Sequence, residues 1–176
     1  SKWERQKEVF HILDKETSNN VEVTVACAVQ ALNIYYIPDL IKWKLEQNFR
    51  KINMWPFGAG GVNYHFVYHP PHLNVKILPK EFKEKCRKKY EEFYPWWEAN
   101  WEKGIPSWHK GKVTYEDWRT ANYGIQRLEG MLQFMESEDW SIRLPEMKEF
   151  LELCDTQRNT KWQDVFPEMK DIFNDI

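Results

Sequence analysis

Val21-Glu22-Val23-Thr24-Val25-Ala26-Cys27-Ala28-Val29 is the stretch on which the fold turns. It opens with strict apolar–polar alternation, the period of a strand with one wet face. It then becomes wholly apolar, as a strand does on entering a buried sheet. Downstream, Asn33-Ile34-Tyr35-Tyr36-Ile37 runs into Pro38-Asp39. Proline suits a first helical position, where its missing N–H needs no partner. Leu40, Ile41, Leu45 and Phe49 give a helix over 38–49 its apolar stripe. Lys51-Ile52-Asn53-Met54-Trp55-Pro56-Phe57 is short and apolar and reads as a second strand. Strand, helix and strand within ~37 residues have the length of a parallel βαβ unit. Segments 21–29 and 51–57 are therefore expected to lie side by side and parallel, joined by a right-handed crossover.

Upstream, residues 3–14 set Trp3, Val9, Phe10 and Leu13 among charges, the pattern of a short helix, and Thr17-Ser18-Asn19-Asn20 reads as a turn. Downstream, Gly58-Ala59-Gly60-Gly61 closes the βαβ unit. It is neither a Walker loop nor a G-x-G-x-x-G, and it reads as a flexible corner or as a place where backbone approaches a ligand. Val62–Tyr68 and Leu73–Leu78 follow, separated by His69-Pro70-Pro71-His72. Prolines stop strand pairing, so the two runs are expected to form a hairpin or an edge extension.

From residue 79 the period becomes helical. Phe82, Cys86, Tyr90, Phe93, Trp97 and Trp101 recur every three or four residues, with Pro95 expected to kink or split the run. After a loop at 104–120, Ile125, Leu128, Met131, Leu132 and Met135 mark another helix. Pro145 opens a third, striped by Met147, Phe150, Leu151 and Cys154, and Trp162 to Phe173 mark a last helical stretch interrupted at Pro167. The class is α/β (α+β): residues 1–78 form an α/β region with a hairpin, and 79–176 a helical extension packed on it.

The chain of 176 residues carries 25 Lys and Arg against 27 Asp and Glu, a net charge of −2. That balance gives no sign of a polyanion binder. Ten Trp, 8 Tyr and 10 Phe can fill a core even in a short chain. Apolar runs fall far short of the ~18 residues of a membrane span. Cys27, Cys86 and Cys154 are too widely spaced for a disulfide framework or a C-x-x-C site. With no leader pattern and no N-x-S/T sequon, the expected compartment is the cytoplasm.

Three constellations invite chemistry. His65, His69 and His72 suggest a metal, but in an extended strand His65 and His69 lie roughly 13 Å apart, too far for one ion unless the strand folds back. Lys80, Lys83, Lys85, Arg87, Lys88 and Lys89 make a basic helix, while residues 136–176 hold eleven acids against five bases. That acidic tail can neutralise the basic face within the molecule. The glycines at 58–61 are the third.

Asn20–Val25 followed by Ala31-Leu32-Asn33-Ile34-Tyr35-Tyr36-Ile37-Pro38-Asp39-Leu40 resembles the second half of a radical S-adenosylmethionine enzyme of the twitch-domain subgroup found in bacteria and their viruses. Tyr64–Tyr68, Leu73–Pro79, Phe134-Met135, Ser137–Trp140, Arg143–Glu146 and Phe166-Pro167-Glu168 continue the likeness. The resemblance implies a partial βα barrel, with 21–29 and 51–57 as its last two strands. It also implies that the carboxyl ends of those strands line the cofactor and substrate side. By position Gln30, Asn33, Trp55 and the backbone at Gly58 are the cofactor-binding candidates. For Asn33 the alternative is turn capping, and for Trp55 core packing. No catalytic residue and no metal ligand is assigned.

Family enzymes hold an iron–sulfur cluster on C-x-x-x-C-x-x-C, and this sequence contains no such triplet and no Gly-Gly-Glu motif. The likeness thus implies a C-terminal half, inactive alone, with S-adenosylmethionine and the cluster entering only with an N-terminal half or complementary chain. Homo-oligomerisation through the 21–29 edge is a further expectation. Neither membrane nor nucleic acid is expected as a partner. The alternative is a non-enzymatic binding or scaffold module using its aromatic helical face or basic helix 80–89. A third reading is an unrelated small-ligand protein using the 58–72 region.

Overall fold

The structure, a computed structural model, describes residues 2–16, 23–52, 61–105, 111–120 and 124–174. It mixes helix and strand, mostly helix, around a two-stranded parallel sheet. In chain order the elements are α1 (Lys2–Glu16), β1 (Val25–Val29), α2 (Ile37–Glu46), β2 (Val62–Phe66), α3 (Lys80–Ala99), α4 (Tyr115–Thr120), α5 (Ile125–Glu136), α6 (Leu144–Arg158) and α7 (Trp162–Val165). Short 3-10 turns connect several of them.

Among the described residues the parallel partner of β1 is β2. Lys51 and Ile52 lie in a bend and turn, and 53–57 lies outside the described residues. The backbone donors of residues 50–52 are engaged elsewhere. The Asp14 carboxylate accepts the N–H of Arg50 at 2.9 Å, of Lys51 at 2.6 Å and of Ile52 at 3.2 Å. Donors held by a carboxylate cannot join a sheet ladder.

The expected hairpin is also replaced. Pro71–Leu73 and Val75–Ile77 are 3-10 turns, and Asn74 Oδ1 accepts the Lys76 N–H at 3.0 Å. Local capping by an Asx side chain competes with strand formation, and prolines at 70, 71 and 79 leave few donors for a ladder. Nor does Pro95 split α3, which runs unbroken from Lys80 to Ala99. Rings on either side of it hold the helix down: Phe93 and Trp97 are buried, their centroids 5.5 Å apart. Within the expected 104–120 loop, Thr114 and Asp117 form a reciprocal cap that starts α4. The T-x-x-D pattern was in plain view in the sequence.

The chain divides into two compact units, each drawing on residues from both sides of position 78. The first holds residues 1–27, 36–65 and 90–130. Its core joins Ile37, Ile41 and Leu45 of α2 with Val62 and Tyr64 of β2, and continues into Tyr90, Phe93, Trp97 and Trp118. Trp97 and Trp118 meet edge to face at 5.1 Å. The aromatic stripe of α3 is therefore core in this unit. The second unit holds 28–35, 66–89 and 131–176, centred on Val29, Ile77, Leu78, Cys86, Leu132, Met135, Met147 and Met169.

Gly124 shows how closely the first unit packs. A Cβ there would stand 2.3 Å from the Trp118 carbonyl oxygen and 3.2 Å from its carbonyl carbon, both backbone atoms. Gly124→Ala is expected to destabilise the chain by about 1–3 kcal/mol. A urea midpoint that does not move would refute the close approach.

Candidate functional site

Ligands of parallel α/β sheets gather where the strands end at their carboxyl side. Here those ends open onto residues 30–35 and 67–79 of the second unit. Val67 donates its N–H to the Val29 carbonyl and Ala31 donates to that of Leu73, both at 2.9 Å, so the two exits are tied together.

Asn33 governs the first exit. Its Oδ1 accepts the Gln30 N–H and its Nδ2 donates to the Ala28 carbonyl, each at 2.9 Å. Both ends of the carboxamide are thus engaged by the backbone that it shapes. The Gln30 side-chain amide, half-exposed at the same turn, has no hydrogen-bond partner among the described residues. Trp55 and Gly58, the other two candidates, lie outside the described residues. Asn33→Ala is expected to cost about 1–2 kcal/mol by releasing both bonds. Asn33→Asp, which keeps only the acceptor, should fall between it and the wild type in urea denaturation.

The second exit is aromatic. Phe134 of α5 stacks 4.3 Å from Phe66 and 5.7 Å from Tyr68, whose ring is 56% exposed. Behind Phe134, the nearly buried Lys76 pairs with Glu138, its Nζ standing 4.6 Å from the Phe134 ring centre and 5.4 Å from that of Trp140. Trp140 Nε1 donates to Glu138 Oε2 at 2.9 Å, and Lys83 Nζ donates to the Glu138 carbonyl at 2.8 Å. Lys76 first, and then Trp140, hold the Glu138 carboxyl below the usual carboxylate range. So held, Glu138 ties Lys76, Lys83 and Trp140 together. Sequence reasoning missed Lys76 and Glu138, which lie 62 residues apart and carry no local signal.

The histidines separate in role. His65 and His69 are exposed, while the His72 ring packs 5.0 Å from Phe150, its Nε2 buried with no hydrogen-bond partner. No group of three or more His, Cys, Asp or Glu is arranged to hold a metal among the described residues. The cysteines suit a cluster no better. Burial pushes the Cys27 thiol up to about 11 and the Cys86 thiol up to about 12, which makes both poor nucleophiles. Among the described residues no cysteines stand together to hold an iron–sulfur cluster, and no step is routed through one.

The basic helix is engaged within its own unit. Arg87 forms a two-pronged pair with Glu136 at 2.8 and 2.7 Å. Lys85 Nζ donates to the Glu168 carbonyl at 2.9 Å, and Lys89 Nζ lies 4.0 Å from the Tyr35 ring centre. Of these contacts only Arg87 with Glu136 joins a cation of the helix to a carboxylate of the 136–176 stretch; Lys85 and Lys83 meet backbone carbonyls, and Lys89 meets a ring. No helix among the described residues is long and apolar enough to cross a membrane.

Compared with family models, curated proteins and solved structures, the chain matches none of them.

Proposed function

We propose that this chain is the C-terminal, substrate-side part of a radical S-adenosylmethionine enzyme whose cluster is held by another segment or chain. The observation that supports the reading is the parallel β1–α2–β2 unit with one open face. Thr24 just before β1, and Ala26 and Ala28 on it, are exposed, although parallel sheets are ordinarily covered on both faces. Small side chains on an uncovered parallel strand suit a strand that continues into further layers. In this reading those layers are the remaining barrel strands, and Gln30 and Tyr68 present an amide and a phenol at the carboxyl ends. The cofactor supplies radical chemistry when bound elsewhere; this chain orients the substrate at the strand ends and shields it from water with Phe66, Tyr68 and Phe134.

The test is anaerobic reconstitution with iron and sulfide, of this chain alone and together with a family N-terminal segment bearing C-x-x-x-C-x-x-C. The expected result is association of the two, with 5′-deoxyadenosine formed only by the mixture. A stable stoichiometric cluster with cofactor cleavage by this chain alone, or no association at all, would overturn the proposal.

A further inference from the structure

A second surface of the second unit stands apart from the strand ends. Between the start of α3 and the last turns of the chain runs an open groove of about 750 Å³. Its floor is apolar: Phe82, Leu144 and Ile172 are each less than a tenth exposed. Its wall is Ile142, which is 89% exposed, more than any other large apolar side chain among the described residues. Across Ile142 lies a smaller hollow of about 250 Å³, lined by Pro71, Asp139, Trp140 and Arg143. Ile142 is thus an apolar ridge between two hollows. A ligand seated in one hollow leaves the ridge wet, whereas a polypeptide segment straddling it covers both sides. Exposed apolar features of this kind mark interaction sites.

Charge selects the partner. Glu81 and Asp171 stand exposed on the larger groove, and neither has an ion-pair partner among the described residues. Asp171 accepts only a weak hydrogen bond from Asn174 at 3.3 Å. Lys85, the one cation lining the groove, is turned to the Glu168 carbonyl. An apolar floor rimmed by two exposed carboxylates that make no ion pair among the described residues complements a segment that alternates aliphatic side chains with Lys or Arg. We propose that this groove docks a basic amphipathic helix of a partner protein, its aliphatic residues gripping Ile142 and its cations meeting Glu81 and Asp171. The inference does not depend on the radical-enzyme reading.

The probe is a fluorescein-labelled 14-residue Lys-Leu peptide of helical periodicity, titrated with the full chain and followed by anisotropy. Its Glu-Leu counterpart and a Lys-Gly peptide of equal charge are the comparisons. Saturable one-to-one binding of Lys-Leu alone is expected. Ile142→Ser should weaken it at least tenfold, and the double variant Glu81→Lys with Asp171→Lys should do the same while flattening the salt dependence. All three positions are exposed, and circular dichroism checks that the variants fold. The proposal is overturned if Lys-Leu does not bind. It is equally overturned if Lys-Gly binds as well, which would mean charge alone, or if either variant binds like the wild type.

Discussion

Lys44→Met is expected to stabilise the chain by on the order of 4–5 kcal/mol at pH 7, each pKa unit being worth about 1.4 kcal/mol. The Lys44 side chain is 1% exposed, inside the first unit on α2. Burial brings its pKa down from 10.5 to about 7, against the upward pull of the Asp14 carboxylate. Folding therefore strips protons from an amine that keeps them when unfolded. Between about pH 7 and 10.5 the unfolded chain binds more protons than the folded one, so stability rises with pH across that window. Below it both states are ionised and the slope vanishes.

The thiols set the upper limit of the rise. Cys27 and Cys86 ionise near 9.0 in ordinary surroundings but only near 11 and 12 in the fold, where burial holds them protonated. Above about pH 9 the unfolded chain releases those protons first, and stability falls. Urea denaturation of the wild type should thus improve from pH 7 toward 9 and then decline. In Lys44→Met the rising limb should vanish. Should it persist, or should the variant be weaker than wild type at pH 7, the assignment to Lys44 is wrong.

Asp14→Ala is expected to destabilise by about 2–4 kcal/mol, because three backbone donors at residues 50–52 lose their acceptor together. Burial opposes the Asp14 charge, yet those three N–H groups and Arg50 win, leaving its pKa below the usual 3.8. Its contribution is accordingly present above that value and disappears as pH falls through the lower folded one. Asp14→Asn, with one acceptor oxygen left, should lose less than Asp14→Ala. The two sites also couple, since removing Asp14 takes away the charge that favours the Lys44 ammonium. The double variant Asp14→Ala with Lys44→Met should consequently be more stable than the two single effects summed. Strict additivity would place the carboxylate too far from the amine to act on it.

How much of this was legible beforehand depends on the range of the interaction concerned. The helices over 2–16, 37–46, 80–99, 125–136 and 144–158 were all foreshadowed by apolar stripes, because a helix closes its hydrogen bonds within four residues and its buried face repeats in the sequence. The strand at 25–29 was foreshadowed too, though its apolar run misled. Ala26 and Ala28 are small residues facing outward, not members of a face buried on both sides. At Asn33 the turn-capping alternative matches the geometry, and an Asx side chain acting within five residues is readable in sequence.

The partner of that strand was not readable. Segments 51–57 and 62–68 are both short and apolar, and hydrophobic pattern alone cannot choose between them. The carboxylate of Asp14, 36 residues before Arg50, takes the N–H donors of residues 50–52, a contact no local pattern announces. Likewise Lys76 and Glu138, far apart in the chain, become one clamp only when α3, α5 and the loop after α5 are packed. Local periodicity determined which residues turn toward a core. Tertiary structure decided the pairing of β1 with β2, the Arg87–Glu136 pair and the groove beside Ile142, because each joins groups that no short-range pattern brings together.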